Sequence, residues 1–211
     1  MELLLFDLDG TLVDSRKDIT NAVNATLKKL DFKEKSMQEI TSYVGTGVED
    51  LMRKSLGTSD PAILKKALAI LEECYRHYLA DQSVLYPGVR DVLEYFKAKK
   101  KAIVTNRNYE FVGPTLRALK IYDYFEDVIG GDDACCMKPS SCPLDKTIMR
   151  FNVAKEKTII IGDMDIDILA GKKAGIVTCA VTYGLGKKED IIKAEPEYII
   201  DTIIQLKSII V

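Results

Sequence analysis

The chain has 211 residues, 47% of them hydrophobic and 29% charged, with a formal net charge of -2. That is enough for one domain with a real core, or a core plus a small insert, and the composition is ordinary for a soluble globular protein. The near-neutral balance gives no sign of a nucleic-acid or membrane surface, and no apolar run approaches the roughly 20 residues that span a bilayer. The first apolar run is short, lacks a basic leader and ends in two aspartates. It reads as a strand rather than a signal peptide, and a cytoplasmic protein is expected.

Taken in chain order, Glu2 to Leu8 is a continuous apolar run of the kind found in a strand buried on both faces. Similar runs follow at Lys101–Thr105, Asp127–Gly130, Thr158–Gly162, Val177–Val181 and Tyr198–Ile200. Helical patterns separate most of them: Val89–Lys99, Glu110–Leu119, Leu144–Phe151, Asp165–Ala174 and Thr202–Ile209. Pro143 suits a first helical turn and Gly175 a C-terminal cap. Strands alternating with helices predict a doubly wound parallel sheet, with the ligand beyond the carboxyl ends of the strands. From Arg16 to Gln82 the alternation stops. Ile19, Ala22, Val23, Leu27 and Leu30 share one helical face, as do Ile63, Leu64, Ala67, Leu71, Cys74, Tyr75 and Tyr78 in a later helix. Asp60-Pro61 opens that helix, and Tyr86-Pro87-Gly88 marks the return to the sheet. The reading is an α/β core, residues 1–15 and 83–211, with an all-helical cap at 16–82 placed where a lid belongs.

Four segments at predicted strand ends carry chemistry. Asp7 and Asp9 stand two apart where the first strand ends, and Gly10 allows a tight turn after them. Buried carboxylates there demand a cation or hydrogen bonds. Thr105 and Asn106 offer a hydroxyl and an amide suited to phosphate oxygens. Lys138 sits in a loop, where it can place a point charge on a phosphate. Asp163, Asp165 and Asp167 alternate as in a calcium loop, but Ile168 and Ala174 stand where such a loop needs Gly and Glu, so that reading fails. Asp163 remains a ligand for a hard cation, and Asp167, one helical turn on, can face the same site. The set can hold magnesium, which lets an anionic nucleophile approach an anionic phosphate. Unscreened, that repulsion is several kcal/mol at about 4 Å. No P-loop string occurs, and the lone histidine, His77, lies in the helical insert and reads as a surface or packing residue. The five cysteines form no CxxC pair, and their odd count argues against a disulfide framework; reduced, structural thiols are expected.

The ordered set DLDGT, TN, KP and GDxxxD resembles the haloacid dehalogenase-like superfamily of phosphohydrolases over nearly the whole chain. The resemblance implies that Asp7 is the nucleophile and forms an aspartyl-phosphate, and that Asp9 is the acid/base. It makes Thr105, Asn106 and Lys138 the phosphate-binding residues. Magnesium would be held by Asp7, the Asp9 carbonyl and Asp163, with Asp167 in support. The second aspartate disfavours the dehalogenating members. VGTGVEDL and YPGV are similar to segments of phosphoglycolate phosphatase-like members, whose cap loop, here Gly45, Thr46 and Gly47, closes on substrate; Arg107 is a further candidate substrate contact. The chain departs from many relatives at Arg107, where lysine is common, at Met164, and in the PSSC stretch after Lys138. The implied activity is hydrolysis of a small phosphorylated metabolite by a monomer or homodimer. The alternatives are a phosphomutase of the same superfamily and a non-catalytic binding protein.

Overall fold

The computed structural model describes residues 1–210. Six strands form one parallel sheet in the order β5 (Asp127–Ile129), β4 (Lys100–Val104), β1 (Leu3–Phe6), β6 (Thr158–Gly162), β7 (Val177–Val181) and β8 (Tyr198–Ile200). β1 lies at the centre, pairing Leu3 to Phe6 with Lys100 to Ile103 on one side and Thr158 to Ile161 on the other. Its four side chains are fully buried because both faces are covered. Leu4 and Phe6 pack against α5 (Val89–Tyr95), α6 (Tyr109–Ala118) and α10 (Leu206–Ile209). Leu3 and Leu5 point the other way, toward α7 (Cys142–Phe151) and α8 (Asp165–Ala174). Each such side chain contributes about 1.5–3 kcal/mol on burial. The fold is therefore the three-layer α/β arrangement read from the alternation.

Between β1 and α5 the chain builds α1 (Arg16–Lys29), α2 (Met37–Thr41), α3 (Val48–Leu56) and α4 (Pro61–His77). These helices have a core of their own, which includes Val23, Leu27, Met52, Ala67 and Leu71. Asp60 caps α4, its carboxylate accepting from the Ala62 and Ile63 amides, and Pro61 follows in the first turn.

Three features differ from the sequence reading. A two-stranded antiparallel ribbon, β2 (Val13–Asp14) with β3 (Val84–Leu85), joins the way into the helical unit to the way out. Two residues per strand carry no readable periodicity. A short helix, α9 (Lys188–Lys193), also escaped notice, and the last predicted helix is a 3₁₀ turn followed by α10. The thiol expectation fails at one pair: Cys136 and Cys142 are disulfide-bonded, with Cα atoms 5.2 Å apart. An odd count forbids complete pairing, not a single bond between neighbours. The turn closed by the Ser140 amide on the Met137 carbonyl brings the two together. Cys74, Cys135 and Cys179 are free.

Candidate active site

The site lies at the carboxyl ends of β1, β4 and β6, under the helical unit. Asp7 is the first residue past β1, anchored by its amide on the Ile161 carbonyl at 2.9 Å. Gly10 takes a φ of 94° in the turn that follows. A Cβ there would lie 2.2 Å from Asp163 Oδ2, so only glycine lets this turn meet the neighbouring strand end.

Lys138 is the organising cation. Its side chain is 1% exposed, and Nζ donates to Asp7 Oδ1 at 2.6 Å, Asp167 Oδ1 at 2.6 Å and the Val104 carbonyl at 2.8 Å. All three ammonium donors are thus used. Burial works against its charge, but Asp167 and Asp7 outweigh burial and hold its pKa well above the usual lysine value. Asn106 fixes the loop that carries it. Its Oδ1 accepts from the Lys138 amide, while Nδ2 donates to the Lys138 carbonyl and to the Gly45 carbonyl. The Asn106 amide expected on phosphate is therefore spent on positioning Lys138 and on tying the core to the helical unit. Thr105 is 5% exposed, and its hydroxyl accepts from the Arg107 amide.

Asp163 is fully buried at the end of β6. Its Oδ1 accepts from the Thr11 hydroxyl at 2.9 Å, and Oδ2 from the Leu185 and Gly186 amides. Asp167, in the first turn of α8, accepts from the Met164 amide with the oxygen that does not meet Lys138. Oxygens of Asp7, Asp163 and Asp167 all lie within 4.8 Å of one another. Burial, with Asp167 and Asp163 adding to it, pushes the Asp7 pKa well above the ordinary carboxylate value despite Lys138. Burial and Asp167 likewise push Asp163 up to about 7. Three carboxylates thus share one ammonium in a buried place. The donors are hard oxygens and the site is short of positive charge, so the residues fit a divalent cation. The expected ligand pair Asp7 and Asp163 is brought together, with Asp167 bridging it to Lys138.

Asp9 sits apart from that cluster. Its Oδ1 accepts from the Ser15 hydroxyl and from Arg107 Nη1 at 3.1 Å. Both donors go to one oxygen, which leaves Oδ2 for a ligand. Arg107 also donates to the Tyr75 hydroxyl, and its guanidinium lies over the Tyr75 ring, 4.9 Å from the centroid.

A cavity of about 120 Å³ opens above these groups. Its floor includes Asp7, Asp9, Thr105 and Lys138, and its roof Val23, Leu51, Leu71 and Tyr75. Gly45 and Gly47 line it; Thr46 does not, because it is exposed and its hydroxyl is turned to Asp50. Met164 fills the contact beneath Gly45, where a Cβ would lie 2.4 Å from its sulfur. Sequence reasoning missed Thr11, Ser15, Tyr75 and the Gly184–Gly186 turn. His77 is exposed at the end of α4, as read.

The family model for haloacid dehalogenase-like hydrolases matches residues 4–181. A phosphoglycolate phosphatase of Colwellia psychrerythraea is 40% identical over 97% of this chain and 95% of its own length. One from Aquifex aeolicus is 35% identical over 95% and 100% of the two chains. The crystal structure of a predicted phosphoglycolate phosphatase from Haemophilus somnus superposes with a TM-score of 0.93 at 28% identity, covering 99% of this chain and 97% of that one. No helix among the described residues is long and apolar enough to cross a membrane. With the family model spanning both the first and the last of the strand-end aspartates, the chain belongs to the haloacid dehalogenase-like hydrolases.

Proposed function

We propose that this protein is a magnesium-dependent phosphatase that hydrolyses a small phosphate monoester by way of an aspartyl-phosphate on Asp7. The observation that carries the reading is the pairing of Asp7, held by Lys138 at 2.6 Å, with a second carboxylate two residues on that has one oxygen unengaged. Covalent transfer needs such a nucleophile and a separate acid/base.

In the first step an Asp7 oxygen bonds to phosphorus as the bond to the leaving oxygen breaks. Asp9 gives its proton to that oxygen. In the second step water attacks phosphorus, Asp9 takes its proton, and the Asp7 carboxylate departs. Lys138, with its donors on Asp7, Asp167 and the Val104 carbonyl, would supply positive charge beside the phosphoryl oxygens, and the Thr105 hydroxyl would donate to one of them. Asp7, Asp163 and the Asp9 carbonyl are the residues that would hold magnesium, with Asp167 in support. The ion would supply charge neutralisation for the phosphate. Residues 16–82 serve as the cap over this floor, with the Gly45–Gly47 loop at its edge.

Phosphoglycolate is the first substrate to try, on the strength of the relatives that bear its name. The apolar roof gives the many hydroxyls of a sugar few partners, which disfavours the mutase alternative. The reading includes a cytoplasmic monomer or homodimer, and the near-neutral net charge of -2 supports a small-molecule partner over nucleic acid or a membrane surface. A panel of phosphate esters, run with magnesium and with EDTA, tests the activity. Metal-dependent phosphate release from a small ester is expected; no release from any ester would sink the reading.

A further inference from the structure

Arg107 is the one buried cation of the cavity that the proposed chemistry leaves unexplained. Its side chain is 7% exposed. A guanidinium has five N–H donors, and the contacts of this one are to Asp9 through Nη1 and to Tyr75 through Nη2. The Nε–H is buried without a partner. Burying such a donor unpaired costs about 1–3 kcal/mol, comparable to the net worth of a hydrogen bond made to a charged group. The Tyr75 hydroxyl accepts from Arg107, and its own proton meets no acceptor among the described residues. Burial keeps that hydroxyl protonated by raising its pKa well above the usual tyrosine value. Tyr75 is itself held from behind, its ring 4.8 Å from that of Phe111.

We propose that the Nε edge of Arg107, together with the Tyr75 hydroxyl, is a subsite for a carboxylate on the leaving group. The substrate is then a phosphate monoester of a short hydroxy acid. The inference rests on the reading of Asp7 and Asp9 given above. If Asp9 serves the leaving oxygen, a group 3.1 Å beyond it meets what that oxygen carries one or two carbons away. A planar carboxylate matches the Nε and Nη2 donors side by side, whereas lysine offers only a point charge. The remaining roof is apolar apart from Glu72, which is paired with Arg76, so among the described lining residues Arg107 is the cation beside the roof that can recognise an acidic end. With Nη1 still on Asp9, the same guanidinium would join the recognised group to the acid/base residue. Arg107 is thus assigned both a binding and a positioning role.

The test compares two ligands of nearly the same shape. Phosphoglycolate ends in a carboxylate and ethyl phosphate in a methyl group. Their affinities are measured by calorimetry, with magnesium, on the full-length Asp7→Asn protein and on the same protein carrying Arg107→Met, Arg107→Lys or Tyr75→Phe. The parent should bind phosphoglycolate more tightly than ethyl phosphate. That advantage should fall by about 100-fold in Arg107→Met and about 10-fold in Arg107→Lys and in Tyr75→Phe, as expected for lost charge-assisted bonds. A purely structural role would weaken both ligands by the same factor, and that result would overturn the proposal. Equal affinity of the parent for the two ligands would overturn it too. Should Arg107→Met fail to fold, the lysine variant decides by the same ratio. Turnover by the unmodified enzyme is measured separately. Its absence would defeat the phosphatase reading, while the affinity ratio would still judge Arg107.

Discussion

The strand ends and the helical unit above them hold their polar groups in different ways. At the strand ends Asp7, Lys138, Asp163 and Asp167 are each less than a tenth exposed, and Lys138 has a partner for every donor. Above them the cavity wall is mostly apolar, and the polar groups that approach are the Tyr75 hydroxyl, the Gly45 carbonyl and Glu72, which is paired with Arg76. A network whose cation has a partner for every donor, and whose carboxylates are gathered before any ligand arrives, is pre-organised for one kind of chemistry. A wall with one unengaged cation edge is suited to choosing among ligands instead. The comparison teaches that reaction type and substrate choice reside in separate layers, joined through Asn106, Arg107 and the linkers.

Substitutions in the lower layer should break the reaction itself. Asp7→Asn is expected to lower kcat by on the order of 10⁴-fold or more, because the nucleophile is lost. Its melting temperature should stay level or rise, since a buried carboxylate has been neutralised. Lys138→Ala should both abolish turnover and cost about 3–5 kcal/mol by denaturant titration, because it strips Asp7 and Asp167 of their shared counter-charge. The two variants therefore separate chemistry from stability at neighbouring atoms.

Much of the lower layer was legible in the sequence, and the reason is physical. Charged residues at the ends of strands as apolar as Leu3–Phe6 and Thr158–Gly162 need a cation or hydrogen bonds, so Asp7 and Asp163 stood out as a metal site or a turn, and the other strand-end segments together gave them a role in phosphoryl transfer. Lys138 was legible only through its place in the family pattern, and Asn106 kept its place while its amide proved to serve the Lys138 loop. Tyr75 was hidden because it sits on the apolar face of an amphipathic helix, where an aromatic reads as packing. Its hydroxyl meets Arg107 across 32 residues, a distance no periodicity reports. Thr11 and the Gly184–Gly186 turn were invisible for the same reason: backbone amides and small hydroxyls acquire meaning only once Asp163 is seen between them. The Cys136–Cys142 bond was misread because counting cysteines says nothing of which two a turn brings together.

Smaller effects test the joints between the layers. Reducing Cys136–Cys142 should cost about 2 kcal/mol for so short a loop. Since Lys138 lies inside that loop, adding dithiothreitol should lower the melting temperature and kcat together, and a Cys136→Ser variant should be indifferent to it. Asp18 accepts from the Gln82 and Ser83 amides and the Ser83 hydroxyl, and so ties the helical unit to its return linker. Asp18→Ala is expected to cost about 1–3 kcal/mol, with a larger effect on KM than on kcat. An unchanged KM would mean that the linkers do not set the position of the roof.

The central claim is that Asp7, and not Asp9, receives the phosphoryl group. Enzyme mixed with phosphoglycolate and magnesium, quenched during turnover and reduced with borohydride, converts an aspartyl-phosphate to homoserine that peptide mass spectrometry locates. The account predicts homoserine in place of Asp7, with Asp9 unmodified. Modification at Asp9, or none at either residue while phosphate is being released, would contradict it.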